Sequence, residues 1–312
     1  MRGKPKHDTR NPVMVEDYFL CGWRVRSALP LPELIRWRSA DDGPPDIVVE
    51  EGAVPETLER SLTPGRYLMV DPAGTILLRI ADGLRFLIQD DGRVTVDRVD
   101  REDPDSWRLF FLGTVLGYLC HQRGLFPLHA ATLRVDGRTL AIAGAQGSGK
   151  STLAHALGRR GHRLVSDDVT VICDEDNRLE ISPAFPRLNL WRSALDAAGV
   201  GVSGLRRVRP QIEKYDVPLP GSVDIASLPL DAIVILGEAS ASDLTKLAPT
   251  AALPAVQAHI AQRQVAAALG NQRRLFATTA RIVSTVPVYR LQRPKRFEDL
   301  EEVAALIERE IA

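Results

Sequence analysis

The chain has 312 residues, 45% of them hydrophobic and 26% charged, and its 40 Lys and Arg balance 40 Asp and Glu. That length suits two domains, or one large domain with an appendage, and the neutral balance leaves no global field to draw nucleic acid or an anionic membrane. Cys21, Cys120 and Cys173 are far apart and lack metal-ligand spacing, which argues against a disulfide framework and reads as reduced thiols.

Residues 1–13 are polar and proline-containing and are expected to form a flexible tail. Short β-prone runs follow at 46–50, 67–70, 75–80, 84–89 and 94–99, separated by turn chemistry at Asp71-Pro72-Ala73-Gly74, Asp82-Gly83 and Asp90-Asp91-Gly92. Residues 14–102 are therefore expected to be a small antiparallel β-rich domain. A helix is predicted from Asp103-Pro104 to about Gly124, apolar nearly all round, so that 103–124 connects two domains. Its run 109–120 is about a dozen residues, too short to span a bilayer, and no secretory signal is legible in residues 1–12. A cytoplasmic protein without membrane or nucleic-acid partners is expected.

Residues 125–312 are predicted to be an α/β nucleotide-binding domain. Strands at 128–135 and 138–143 are joined by the hairpin signal Asp136-Gly137. A helix from Lys150 stops at Gly161, and a strand at 162–173 carries Asp167-Asp168 in its middle. A buried strand follows at 232–236, then helices at 253–269, 271–284 and 297–311, with a short strand at 288–291. His155 and His162 read as surface residues, and Trp191 as core packing.

Between the second of these strands and the following helix lies Gly144-Ala145-Gln146-Gly147-Ser148-Gly149-Lys150-Ser151, a full phosphate-binding loop in the strand–loop–helix context the motif requires. Gly144, Gly147 and Gly149 let the backbone curl so that successive N–H groups converge on phosphate oxygens, and the helix N-terminus adds partial positive charge. Lys150 can reach the β- and γ-phosphates, the Ser151 hydroxyl can hold Mg²⁺, and Thr152 completes the first turn. A nucleoside triphosphate is the expected ligand. Adjacent carboxylates on a strand point to opposite faces, so only one of Asp167 and Asp168 is expected to face the γ-phosphate. That one can take the proton from an attacking hydroxyl, and the other can support the metal or anchor the strand. His129 stands at the start of the strand whose hairpin partner feeds the loop. Arg187, Arg207 and Lys214 are candidate substrate or phosphate contacts, the last two in a polar stretch with Arg206 and Arg209.

The run from His129 through Gly144–Ser151 to Arg160-Gly161-His162-Arg163-Leu164 and Asp167-Asp168 resembles the catalytic domain of HPr kinase/phosphorylase, over about residues 125–175. The resemblance implies a phosphate-loop kinase fold and phosphorylation of a serine on a carrier protein. It implies Asp168 as the proton acceptor, Lys150 as the loop lysine, Ser151 as the Mg²⁺-binding hydroxyl and His129 as the active-site histidine, which leaves Asp167 as the carboxylate to support the metal. The family's glutamate-bearing segment has no counterpart in Pro183-Ala184-Phe185-Pro186-Arg187-Leu188-Asn189-Leu190-Trp191, so the reverse, phosphorolytic reaction is not expected. The N-terminal domain and Leu119-Cys120-His121-Gln122-Arg123-Gly124 are similar to divergent HPr-kinase-like proteins of peptide-modification gene clusters, some of which phosphorylate a lasso-peptide precursor.

The expectation is thus an ATP- and Mg²⁺-dependent kinase acting on a serine or threonine hydroxyl of a protein or peptide. The rivals are a small-molecule kinase for an amino-acid or sugar hydroxyl, and a regulatory ATPase of the same loop type. A closed pocket beside the loop favours a small molecule and an open groove favours a peptide. Assembly as a homo-oligomer is left open by the sequence.

Overall fold

Along Leu84–Ile88 residues are alternately buried and half-buried, the period of two by which a strand covers a core with one face. This segment is one strand of the first sheet of the computed structural model, which describes residues 15–40, 42–63, 65–80, 83–98, 105–175, 178–182, 184, 187–217 and 226–311. The expected tail 1–13 and the expected helix start at Asp103-Pro104 lie outside the described residues, as do Asp82 of an expected turn and Pro183, Phe185 and Pro186. The first sheet contains β1 (Glu16–Leu20), β2 (Trp23–Ser27), β3 (Ile47–Glu51), β4 (Leu68–Val70), β5 (Ile76–Arg79), β6 (Leu84–Ile88) and β7 (Arg93–Arg98), in the order β1-β2-β3-β7-β6-β5-β4. The expectation of an antiparallel sheet is corrected here. The pairs β2–β3 and β3–β7 are parallel, because the connection after β2, with its 3₁₀ helix Pro32–Trp37, carries the chain across instead of turning it back.

The connecting helix runs as α1 (Ser106–Phe110), a π-helical turn (Phe111–Val115) and α2 (Leu116–Gln122). Trp107, Phe111, Leu112, Val115 and Leu119 bury themselves in one cluster with Val25, Ile47, Phe86 and Val94 of the sheet. Val169 and Val171 join the same cluster, so the N-terminal sheet and the rest of the chain share a core.

Beyond the helix come β8 (Phe126–Leu128), β9 (Ala130–Val135), β10 (Arg138–Ala143), α3 (Lys150–Arg159), β11 (Arg163–Ser166), β12 (Thr170–Glu175), β13 (Arg178–Ser182), β14 (Leu188–Trp191) and α4 (Arg192–Ala197). They are followed by β15 (Arg206–Arg207), β16 (Lys214–Val217), β17 (Leu228–Pro229), β18 (Ala232–Glu238), β19 (Asp243–Lys246), α5 (Pro249–Gln257), α6 (Arg263–Ala268), α7 (Gln272–Thr285), β20 (Val288–Arg293) and α8 (Leu300–Ile311). A mixed sheet has the order β11-β9-β10-β18-β20-β19, with β10, β18 and β20 parallel. Alternate residues of β10 serve its two faces: Leu140 and Ile142 meet α3 and α8, while Ala141 and Ala143 meet α5 and α7. Two smaller sheets, β17-β13-β12-β8 and β14-β16-β15, complete a mixed α/β architecture. Among the described residues no helix is long and apolar enough to cross a membrane.

Two elements differ from the sequence reading. The single strand expected at 162–173 is two strands, β11 and β12, in different sheets, because Asp168 has φ +66° and cannot continue a ladder. The helix expected at 253–269 is α5 and α6. Between them the chain is held away from helical geometry by two backbone bonds to the β8 side, His129 N–H to His259 O at 2.8 Å and Ala261 N–H to Pro127 O at 2.9 Å. His155 is buried, and His162 is half-buried with its ring bonded to Glu308 at 2.7 Å, so neither is the free surface residue expected.

Candidate active site

The chain passes between the four-stranded and the six-stranded sheet at His129, between β8 and β9, and at Asp167-Asp168, between β11 and β12. Since β8 pairs with β12 and β9 with β11, both crossings fall at one place. There the His129 Nδ1–H donates to the main-chain oxygen of Asp168 at 2.9 Å. A carbonyl only accepts, so this bond fixes the proton on Nδ1 and leaves Nε2 of the neutral ring as an acceptor. Burial, with the Lys150 ammonium adding to it, holds the imidazole below its ordinary pKa. The Val169 N–H donates to the Asp167 oxygen at 2.8 Å, closing a three-residue turn whose centre, Asp168, has positive φ. A non-glycine residue in that region is strained, and the turn presents Asp168 to the cleft while Asp167 stays buried.

The loop from Gly144 to Ser151 joins β10 to α3, with φ +75° at Gly147 and +90° at Gly149. A Cβ on Gly149 would lie 2.5 Å from Nη2 of Arg293, which donates to the Ser148 oxygen at 2.9 Å. The Lys150 ammonium donates to the oxygens of Gly144 at 2.9 Å and Ala145 at 3.1 Å. Burial lowers its pKa, against the pull of Asp168 and Asp167. The Ser151 hydroxyl reaches both Asp167 carboxylate oxygens at 3.1 Å. Asp167 also accepts the Asn189 N–H at 3.4 Å. Burial, and then the neighbouring Asp168 charge, push the Asp167 carboxyl up to about 7. Asn189 is 3% exposed, and its Oδ1 is buried without a hydrogen-bond partner among the described residues.

These groups open on a cleft of about 1070 Å³. His129, Lys150, Ser151, Thr152, Asp168 and Lys214 line it, as do Gly144, Ala145, Gln146, Gly147 and Gly149 of the loop. Arg187 and Arg207 do not line it. Arg187 lies 3.6 Å from the buried carboxylate of Glu33, and Arg207 stacks over the Tyr215 ring at 5.7 Å. Lys214 and Arg206–Arg207 belong to β16 and β15 rather than to a loop. Trp191, expected in the core, is 53% exposed at the cleft rim, and Phe297 is 41% exposed.

Sequence reasoning missed Asn189, His259, Arg293 and Lys295, all of which line the cleft. Asn189 sits in the run singled out for its missing glutamate, and an alternating apolar pattern there would have turned it and Trp191 to one side. Nothing local marks His259, which is brought beside His129 by backbone bonds from a distant segment.

Hard oxygen donors, Ser151 Oγ and the Asp167 carboxylate with the orphaned Asn189 Oδ1 close by, suit Mg²⁺, which keeps several waters and takes few protein ligands. The cationic lining, with Lys150, Lys214, Arg293, Lys295 and Arg296 against Asp168 as the carboxylate among the described residues, suits a polyphosphate.

No family model matches the chain. A protein of Oceanobacillus iheyensis provisionally named HPr kinase/phosphorylase 2 is 34% identical over 117 residues, 36% of this chain and 37% of that protein. The HPr kinase/phosphorylase of Pediococcus pentosaceus is 39% identical over 75 residues, 24% of this chain and 23% of the relative. The HPr kinase/phosphorylase of Lactobacillus acidophilus is 31% identical over 75 residues, 24% of this chain and 22% of the relative. The chain thus spans well under half the length of these relatives. Among solved structures, the Hpr(Ser) kinase/phosphatase from Coxiella burnetii aligns at 17% identity over 59% of this chain and 91% of its own, with a TM-score of 0.28. At that score the superposition does not bear on the fold.

Proposed function

We propose that this chain, a divergent relative of the HPr kinase/phosphorylase family, is a kinase that transfers the γ-phosphoryl group of ATP to a serine or threonine hydroxyl of a protein or peptide. The observation that carries the reading is the meeting of the loop lysine, the Ser151–Asp167 pair and the strained Asp168 in one cleft, from segments far apart in sequence.

In this reading the amides of Gly147, Gly149 and Lys150 and the Lys150 ammonium bind the β- and γ-phosphates. Lys150 then exchanges its bonds to the Gly144 and Ala145 oxygens for phosphate oxygens. Ser151 and Asp167 are the residues to hold Mg²⁺, which supplies charge neutralisation for the phosphates when bound. The Asp168 carboxylate accepts the proton of the acceptor hydroxyl as that oxygen attacks the γ-phosphorus and the bond to the bridging oxygen of the leaving ADP breaks. His129 holds the turn at Asp168 through its Nδ1–H and, through the cleft, faces the same centre. Lys214, on the cleft wall with electrostatic influence on Asp167, is placed to offset charge on the transferring phosphoryl. Trp191 and Phe297, which line the cleft, are both exposed, so the cleft is not a closed pocket, which supports a peptide over a small molecule.

The domain division that accompanies this reading assigns 14–102 to a β-rich domain, 103–124 to a connecting helix and 125–312 to the kinase domain, in a cytoplasmic protein. Intact-mass spectrometry of candidate acceptor peptides with ATP and Mg²⁺ tests the function. A gain of one phosphate with the wild type and none with Asp168→Asn is the expected result. ADP release with no modified acceptor would overturn it in favour of an ATPase.

A further inference from the structure

The cleft is electrostatically two-sided. Lys295 and Arg296 follow β20, whose last residue, Arg293, is bonded to the phosphate loop at Ser148, so this side is cationic and belongs with the polyphosphate. The other side is built from the connecting helix and the segment between α5 and α6. It presents Leu109, Phe110, Gly113, Thr114 and Ile260, none of them charged. The Arg209 guanidinium covers the Phe110 ring at 5.7 Å but does not line the cleft.

Local structure explains why this side is open. The π-helical turn Phe111–Val115 buries Phe111, Leu112 and Val115 in the N-terminal core and leaves Gly113 and Thr114 half-buried on the cleft side. A Cβ built on Gly113 meets nothing within 4 Å. The facing segment is rigid: Ala261 and His259 are tied by backbone bonds to Pro127 and His129, and His121 Nε2–H donates to the Ala261 oxygen at 2.7 Å. Burial and then the Lys150 charge lower the pKa of the His259 ring. The cleft, about 1070 Å³, is at the upper end for a single small ligand, which gives it volume for an acceptor segment as well as for phosphates at the loop.

We infer that the uncharged side of the cleft, from Leu109 to Thr114 and around Ile260, is the acceptor subsite, and that it takes a hydroxyl-bearing peptide segment whose flanking side chains are apolar. The inference rests on the kinase reading above. Charged flanking residues would lose hydration against Leu109, Phe110 and Ile260, whereas apolar ones leave water without that cost.

Gly113 provides the test, because a larger side chain there projects into open cleft from a helical backbone. Two blocked peptides serve as probes, one with serine flanked by leucine and phenylalanine and one with serine flanked by aspartate and lysine. Their binding to the full chain is measured with Mg²⁺ and a non-hydrolysable ATP analogue, alongside affinity for the analogue itself. The expected result is preference for the apolar peptide, a loss of that affinity of ten-fold or more in Gly113→Leu, a smaller loss in Gly113→Ala, and unchanged analogue affinity in both. Equal peptide affinity in Gly113→Leu, preference for the charged peptide, or binding of neither peptide while the analogue still binds would overturn the subsite. Failure of the wild type to bind the analogue would instead overturn the kinase reading beneath it.

Discussion

Ser151 and Asp167, on a helix and at a strand end, are joined by a hydroxyl that lies 3.1 Å from each carboxylate oxygen of a buried acid. The Asp167 carboxyl has been pushed up to about 7 from an ordinary 3.8, so the folded chain holds its proton more tightly than the unfolded chain does. A raised acid pKa contributes full stability below the unfolded value and loses it as pH rises through the folded one. Stability of the nucleotide-free protein is therefore expected to fall between about pH 4 and pH 7. Asp167→Asn removes the penalty, so its Tm should exceed that of the wild type at pH 8, with the gap shrinking as pH is lowered toward 4. Thermal melts across that range check the sign. The same variant should lose Mg²⁺-dependent nucleotide binding.

Asp168 and Lys150 should separate in their effects. Asp168→Asn removes a proton acceptor used only as the hydroxyl attacks, so phosphoryl transfer should fall by about 3–5 kcal/mol of barrier, several powers of ten, while nucleotide affinity persists. Lys150→Ala removes a ground-state phosphate contact and should weaken nucleotide binding as well. Titration with a fluorescent nucleotide, paired with single-turnover rates, distinguishes the two. Full activity in Asp168→Asn would remove that residue from the assigned role.

Gly149 adopts φ +90°, and an added Cβ would press on the Arg293 guanidinium at 2.5 Å. Gly149→Ala is expected to cost about 1–2 kcal/mol of stability through backbone strain alone. Displacing Arg293 from the Ser148 oxygen would also loosen the loop, and nucleotide Kd should rise by about ten-fold, or 1.4 kcal/mol. Denaturant melts and nucleotide titration read the two effects separately.

Glu33 joins three parts of the chain. Its carboxylate, 4% exposed, accepts from Arg108 Nε at 3.0 Å and from Arg206 Nη2 at 2.6 Å, and it lies 3.6 Å from Arg187 Nη1. Removing one member of a buried ionic cluster leaves the others uncompensated, so Glu33→Ala should destabilise by about 3 kcal/mol. A lower urea midpoint with an unchanged m-value checks it. An exposed pair such as Arg192–Asp196, by contrast, should contribute little, because solvent screens it.

The glycine-rich loop at 144–151, its flanking strand and helix, the hairpin at Asp136-Gly137 and five strands of the first sheet were legible in residue order, whereas β1 and β2 were not. Each legible element depends on neighbours within a few positions: glycines for positive φ, alternating apolar residues for a strand. The strand through Asp167-Asp168 and the helix across 258–262 were misread for the opposite reason. Both are broken by contacts with residues far away, His129 with Asp168 and Pro127 with Ala261. Arg187 looked like an anion contact because its type suits one, yet the buried carboxylate of Glu33 holds it away from the cleft.

By itself, then, the sequence determined a glycine-rich loop between a strand and a helix, with its lysine and serine, and the composition of the chain around it, because these rest on local backbone conformation and residue chemistry. Only the tertiary structure decided which aspartate faces the cleft, since one positive φ at Asp168 overrides strand alternation. It alone brought Asn189, His259 and Arg293 to the loop and turned Gly113 toward open space, because sheet crossings and long-range backbone bonds, invisible to periodicity, set those directions.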